Sequence, residues 1–227
     1  MALAMSAEII TIGTELLNGL GRDTNGARIA AMLASIGIEV HYQTTVGDDA
    51  SRMADVFRAA AHRAQVVITT GGLGATSDDL TRKAIATVFR RRLVLDEAVL
   101  DHIRARFRVR GIEMPAINEA QALVPRGARI IENPRGLAPG LHFTHLETDY
   151  FSLPGVPAEA DAMMESYVLP YLRARRPAIP ATRRVVRTVG VSESVLAERL
   201  RTVEAEEERI RVGYLPHIHG VDITLAP

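Results

Sequence analysis

The sequence predicts an α/β protein: a three-layer α/β/α domain with a mostly parallel sheet over residues 1–176, followed by a small β-α-β-β unit over residues 181–227. Three observations lead there. Short β-branched apolar runs alternate with amphipathic helical stretches through the first ninety residues, an order that parallel strands joined by right-handed crossovers satisfy. Each of the first three runs stops at a glycine, Gly13, Gly47 or Gly71, as buried strands do at a turn. A basic, proline-bearing stretch from Arg173 to Pro180 then reads as a linker.

The elements follow in order. Glu8 to Ile12 is a first strand, and Thr24 or Asn25 caps a helix whose Ile29, Met32, Leu33 and Ile36 recur at three- and four-residue steps until Gly37 ends it. Ile38 to Val46 is a second strand. Gly47-Asp48-Asp49 opens a helix with Met53, Val56, Phe57 and Ala60 on one face; Asp49 there is expected to be an N-cap. Val66 to Thr70 is the third strand, and Leu80 to Phe89 the helix after it. Leu95 to Gly111 is a helix capped by Asp96, Pro115 to Leu123 a short helical segment, and Arg129 to Ile131 a brief strand. Leu141 to His145 and Tyr150 to Leu153 are expected to pair as a hairpin around Glu147-Thr148-Asp149. The second of them runs into a Pro/Gly turn and a helix from Ala158 to Arg175, with Pro157 suited to its first turn. That turn is a second possible anion site, although tight strand-to-helix packing accounts for it equally well. In the last unit, strands at Arg184–Val189, Ile210–Leu215 and Val221–Leu225 surround a helix from Glu193 to Glu207 capped by Ser192. Such a small unit is expected to pack on the first domain or on a second subunit. The acidic run Glu204 to Glu208 reads as a solvated helix end, and His217 with His219 lack an evident third metal ligand.

Composition narrows the function. The 227 residues are 47% hydrophobic and 24% charged, enough to bury a proper core. Lys+Arg and Asp+Glu both number 27, a zero net charge that argues against a nucleic-acid binder working by phosphate neutralisation. Without cysteine there is no disulfide, thiolate metal site or thiol nucleophile. No basic leader and no apolar run of bilayer length is evident, so a cytoplasmic location without membrane contact is expected.

The chemistry centres on Val66 to Thr81, VVITTGGLGATSDDLT. Gly71, Gly72 and Gly74 let the backbone approach a ligand closely, and successive N–H groups in such a turn form an anion nest at the start of a helix. The string is neither a Walker A loop nor a dinucleotide fingerprint. Asp78 and Asp79 would repel a phosphate unless a divalent cation neutralises them, so the loop suggests metal plus phosphate. The plain alternative is that Thr76 or Ser77 caps the helix, with Thr76 and Asp79 at capping-box spacing. In a parallel sheet ligands gather at the carboxyl ends of strands, where Gly13-Thr14-Glu15, Gly47-Asp48-Asp49 and Gly71 to Asp79 all fall.

These motifs resemble one family. Gly13 to Gly19 (GTELLNG), Asp23-Thr24-Asn25, Val46 to Asp49, Thr69 to Gly74 with Asp78 to Thr81, Asn133-Pro134 with Ala138-Pro139-Gly140, and Leu153 to Pro157 are similar to the N-terminal part of the competence/damage-inducible CinA proteins. The first domain is similar more broadly to the MoaB/Mog molybdopterin-binding fold, and the segment from Val186 to Leu225 to the small middle domain of CinA. The CinA resemblance implies a metal-dependent hydrolase that splits ADP-ribose into AMP and ribose 5-phosphate; the MoaB/Mog resemblance implies molybdopterin binding. A non-catalytic binding module is the third reading. In the hydrolase reading Gly71, Gly72, Leu73, Gly74, Ala75 and Thr76 hold phosphate, and Asp78 and Asp79 position a divalent ion such as Mg²⁺. Asp48 or Glu15 orients water, and Thr14, Asn25, Asn133, Pro139, Gly140, Pro154 and Gly155 meet the rest of the ligand. A homo-oligomer is expected. The chain departs from the family at Ala75, where proline is usual, and at Leu137, where threonine is usual. It ends at Pro227 without the family's nicotinamide mononucleotide deamidase domain, so that activity is not expected.

Overall fold

A computed structural model of the chain describes residues 5–175, 184–207 and 210–226. Residues 176–180 of the expected linker and Glu208 of the acidic run lie outside the described residues. The chain divides into two compact units, Met1–Ala34 with Ile38–Pro177 and Ser35–Gly37 with Ala178–Pro227.

The larger unit is built on β1 (Ser6–Ile12), β2 (Glu39–Val46), β3 (Val66–Thr70), β6 (Arg129–Ile131), β7 (Gly140–His145) and β8 (Thr148–Leu153). They form one sheet in the order β2-β1-β3-β8-β7-β6. The pairings among β2, β1, β3 and β8 are parallel, and the two beyond β8 are antiparallel. The sheet is therefore mostly parallel, as the alternation of strand and helix predicts. Helices α2 (Asn25–Ser35), α3 (Ala50–Arg63), α4 (Thr81–Val88) and α5 (Glu97–Val109) connect and cover it. On one face Ile10, Ile12 and Val67 pack with Met53 and Phe57 of α3 and Ile85 of α4. The alternate residues Ile9, Ile68 and Phe151 are equally buried, as are Ile29 and Leu33 of α2. Burial on both faces explains why these strands read as continuous apolar runs without alternation.

Several details differ from the expectations. A short helix α1 (Thr14–Leu17) follows β1, and β4 (Leu93–Leu95) pairs with β5 (Leu123–Pro125) as a small antiparallel ladder. The short helical segment expected before β5 is present as a 3₁₀ helix, Ala116–Ala122. The hairpin turn is tighter than expected: Thr148 and Asp149 belong to β8, and Leu146 turns the chain in a left-handed conformation at φ 54°. The last helix of this unit is interrupted. α6 (Pro157–Met163) passes through a π-helical turn, Met164–Val168, into α7 (Leu169–Ala174). Pro170 has no N–H to donate back to a preceding carbonyl, which accounts for the wider turn beside it.

At the amino end of β8, Asp149 gathers a buried polar cluster. Thr144 Oγ1 and Arg175 Nη1 each donate to it at 2.7 Å, and His142 Nε2 lies 3.5 Å away. His142 stacks on Phe151 and meets the hydroxyl of Tyr167, on the π-turn, through Nδ1 at 2.9 Å. At the amino end of β1, Glu8 is fully buried and takes a bidentate pair from Arg63.

In the smaller unit β9 (Arg184–Val189), α8 (Glu193–Glu206), β10 (Arg211–His217) and β11 (Gly220–Ala226) form an antiparallel sheet ordered β10-β11-β9 with a helix. Leu196, Val221 and Ile223 are its buried core. Ser192 stands at the α8 N-cap without a side-chain capping bond. His217 Nε2 lies 3.3 Å from Asp222. No group of three or more metal-ligating side chains occurs among the described residues.

Candidate functional site

Four parallel strands end on the same side of the sheet, at Gly13, Gly47, Gly71 and Pro154, and the loops beyond them wall a cleft of about 560 Å³. The turn at Pro154-Gly155, which the sequence offers as a second and separate anion site, is a wall of this one cleft. Side chains bind the loops to each other. Thr14 donates from its backbone N–H and its hydroxyl to Asp48 Oδ2, at 2.8 and 2.9 Å, tying the loop after β1 to the loop after β2. Asn25 Nδ2 donates to the Gly155 carbonyl at 2.8 Å, and Gly71 N–H donates to the Leu153 carbonyl at 3.0 Å.

The glycine loop is held from two directions. Asp79 lies beneath it: Oδ1 accepts the Gly74 N–H at 2.7 Å, and Oδ2 accepts the Thr76 N–H and hydroxyl at 2.8 and 2.6 Å. From the other side Arg82, only 5% exposed, donates to the carbonyls of Leu73 and Gly74. Burial lowers the pKa of that guanidinium, while the Asp79 charge works the other way. Gly71 and Gly72 sit at φ 105° and 65°, and a Cβ on Gly71 would stand 2.2 Å from the Ile12 carbonyl oxygen. The loop thus needs glycine for its conformation and for close packing on β1.

These bonds divide the loop amides. Gly71, Gly74 and Thr76 N–H are committed to protein acceptors, whereas no acceptor for Gly72 or Leu73 N–H occurs among the described residues. Helix α4 begins at Thr81 with Leu80 at its N-cap and no side-chain capping bond. Thr76 and Ser77 therefore do not cap it, and the Thr76–Asp79 pair instead shapes the loop. Asp49, as expected, is an N-cap and accepts the Arg52 N–H at 2.8 Å.

Of the residues singled out in the sequence, Glu15, Asp48, Gly71, Gly72, Leu73, Gly74, Asp78, Asp79, Pro154 and Gly155 line the cleft. Thr14, Asn25, Ala75, Thr76, Asn133, Pro139 and Gly140 do not. Asn133 organises the β6–β7 loop, where its Oδ1 accepts the N–H groups of Arg135 and Gly136 and its Nδ2 donates to the Ala138 carbonyl and to Glu159. Gly140 lies inside β7 against Met163 and Ile131. The carboxylates differ in availability. Asp79 carries three donors and Asp48 two. Glu15 receives none among the described residues, and the exposed Asp78 is held below the usual carboxylate range by the neighbouring Thr76 side chain and then by its own backbone N–H, although the Thr76 hydroxyl proton itself goes to Asp79. Sequence reasoning missed Arg82, Arg110, Gln121, Arg135 and Glu159 as parts of the site. The one usable signal was position, since Arg82 directly follows the Asp-Asp-Leu-Thr string and Glu159 closes the Pro/Gly turn.

Comparison with known proteins places the family and the fold. The family described as "Probable molybdopterin binding domain" matches residues 8–174, and the chain belongs to it. A CinA-like protein of Gemmatimonas aurantiaca is 42% identical over 97% of this chain and 53% of its own length. The crystal structure of CinA from Thermoplasma acidophilum, a protein titled as of unknown function, is 34% identical and covers 72% of this chain and 95% of that one, with a TM-score of 0.68. Within the larger family the chain is therefore a CinA-like protein. The molybdopterin biosynthesis enzyme MoaB of Thermus thermophilus shares the fold at a TM-score of 0.51 and 22% identity, over 77% of this chain and 99% of that one. The chain spans about half the length of the curated relatives it matches.

Proposed function

We propose that the cleft hydrolyses a nucleoside diphosphate sugar, ADP-ribose, to AMP and ribose 5-phosphate with the help of a divalent cation. One observation supports this reading above others: the Gly72 and Leu73 N–H donors and the sparsely bonded carboxylates of Glu15 and Asp78 line a single cleft. Amides alone would suit any anion; carboxylates beside them suit an anion that arrives with a metal.

The residues present fit a cation such as Mg²⁺. Glu15 and Asp78 would hold it, with Asp79 kept to its loop by three donors. Two carboxylates are enough for Mg²⁺, which usually completes its shell with water and phosphate oxygens. When bound, the cation would neutralise charge on the diphosphate. Gly72 and Leu73 N–H donate to a phosphate oxygen, and Arg135 and Arg110 at the cleft add positive charge. Asp48 has Oδ2 fixed by Thr14, which leaves Oδ1 to orient water. Water adds to one phosphorus, the bridging P–O bond breaks, and its oxygen leaves with the other phosphate.

Phosphorus NMR of the protein with ADP-ribose and Mg²⁺ tests this. AMP and ribose 5-phosphate are expected from the wild type and not from Asp78→Asn of unchanged circular dichroism. No turnover by folded wild type across divalent metals would replace the hydrolase with the second reading, molybdopterin binding, which the description of the matching family favours.

A further inference from the structure

An edge strand offers a row of backbone donors and acceptors to any chain that can pair with it, and proteins restrain such edges by shortness, proline or polar side chains. The edges of the two larger sheets are β2, β6, β9 and β10. β6 is three residues long, and β10 carries Pro216. β2 is exposed at the polar His41, Gln43 and Thr45. β9 differs from all three. It has six residues and no proline, and its Val185, Val186 and Val189 are 53%, 47% and 77% exposed. No strand among the described residues pairs with its outer side.

What fits that edge follows from its register on β11, where Val186 stands opposite Ile223 and Arg187 opposite Asp222. Opposed residues share a face of the sheet, and Ile223 is buried with Leu196 of α8. Val186 therefore carries the apolar row Tyr214-Ile223 out to the edge. A second β9 can lie antiparallel beside the first, about a two-fold axis normal to the sheet. Side chains then keep their faces when the axis passes through a residue. At Arg187 the axis would set two arginines directly opposite, which is unfavourable. At Val185 it would engage Arg184 to Val186 alone. At Val186 it engages Arg184 to Thr188: Val186 meets its own copy, Val185 meets Arg187, and Arg184 meets Thr188. The two Arg187 side chains then lie on a diagonal, each beside its own Asp222.

We propose that β9 is a self-pairing edge. Two copies of the chain join β9 to β9 antiparallel about Val186, so that two three-stranded sheets become one of six strands with both α8 helices on the same face. The occupant is a second copy because β9 complements its own sequence in this register: valine meets valine on the α8 face, and no two like charges stand opposite. The row Tyr214-Ile223-Val186 continues unbroken into its copy. The contact is independent of the cleft and of the reaction proposed there.

Sedimentation velocity of the full chain over a concentration series tests the proposal. The wild type is expected to double its mass as concentration rises. Val185→Glu sets a carboxylate opposite Arg187 of the copy, and Val185→Lys sets a like charge there. The dimer should tighten about fivefold in the first and weaken about fivefold in the second, since each change enters two symmetry-related pairs. The same two substitutions at Leu215, half-exposed on β10, should leave it unaltered. A second measurement does not depend on those variants. The chain has no cysteine, so Val186→Cys carries its sole thiol. A short bismaleimide should link that variant into a covalent dimer and leave Leu215→Cys as single chains. A wild type that stays monomeric throughout overturns the proposal, as does a dimer that responds to Leu215 and not to Val185. Equal weakening by Val185→Glu and Val185→Lys, or no cross-link through Val186→Cys, overturns the register about Val186.

Discussion

Asp79 Oδ1 accepts the backbone N–H of Gly74 at 2.7 Å, so the second aspartate of the Asp78-Asp79 pair is part of the loop's frame. The two neighbours should therefore fail differently. Asp79→Ala leaves two amides and a hydroxyl without their acceptor and is expected to lower stability by about 1–3 kcal/mol. Asp78→Asn, at an exposed side chain, should leave thermal unfolding unchanged while abolishing turnover. Differential scanning calorimetry beside the phosphorus NMR assay checks both. Equal destabilisation by the two substitutions would contradict the division of roles.

Gly71→Ala should be costly for two reasons at once. Its φ of 105° is poor for a side chain, and the new Cβ would meet the Ile12 carbonyl oxygen at 2.2 Å, which is backbone of a buried strand. Gly19, at φ 72°, has open space around the same hypothetical atom. Gly19→Ala is expected to cost about 1 kcal/mol from conformation alone, and Gly71→Ala clearly more. Chemical denaturation of both variants measures the difference.

Arg82→Met should separate loop shape from charge in the cleft. The guanidinium donates to two carbonyls of the glycine loop from behind and does not line the cleft. Its loss is expected to cost about 2–3 kcal/mol, the range for hydrogen bonds to a charged group. Diphosphate affinity, read by titration, should fall as well because Gly72 and Leu73 lose their support. Unaltered affinity would show that the loop holds its shape without Arg82.

Acid stability should depend on Asp149. Burial opposes its ionisation, but His142, Thr144 and Arg175 together outweigh that and hold the carboxyl below the usual range. A carboxyl with a lowered folded pKa stabilises the fold above its unfolded value, near 3.9, and the benefit disappears as pH falls through the folded value. Wild-type stability is thus expected to drop below about pH 4, whereas Asp149→Asn should be weaker at neutral pH and flatter below pH 4. Urea unfolding from pH 2 to 7 reports both curves; parallel curves would remove Asp149 from the acid transition.

Much of this arrangement was legible in the sequence because glycine and proline mark the strand ends. Gly13, Gly47, Gly71 and the Pro154-Gly155 turn gave four boundaries, and parallel topology brings such boundaries to one edge. What stayed hidden depended on packing. Leu93–Leu95 and Leu123–Pro125 are three-residue strands, too short for a periodic signal. Asp79 reaches back five residues to Gly74, a contact that only the loop's folded path creates. Arg82 and Gln121 are residue types usually found on surfaces, and nothing local marks them as buried. The π-turn before Pro170 could have been anticipated from proline's missing donor, yet its partner Tyr167–His142 is a tertiary contact.

The strand β8 joins two regions that need not change together. Its amino end carries Asp149 and the polar cluster, and its carboxyl end runs into Pro154-Gly155 at the cleft. Ligand preference can then drift through loop substitutions while the scaffold keeps its response to acid, and the scaffold can be strengthened without retuning recognition. For an engineer this separates the sequence positions open to library design from those best left fixed, a boundary that runs across the middle of one six-residue strand.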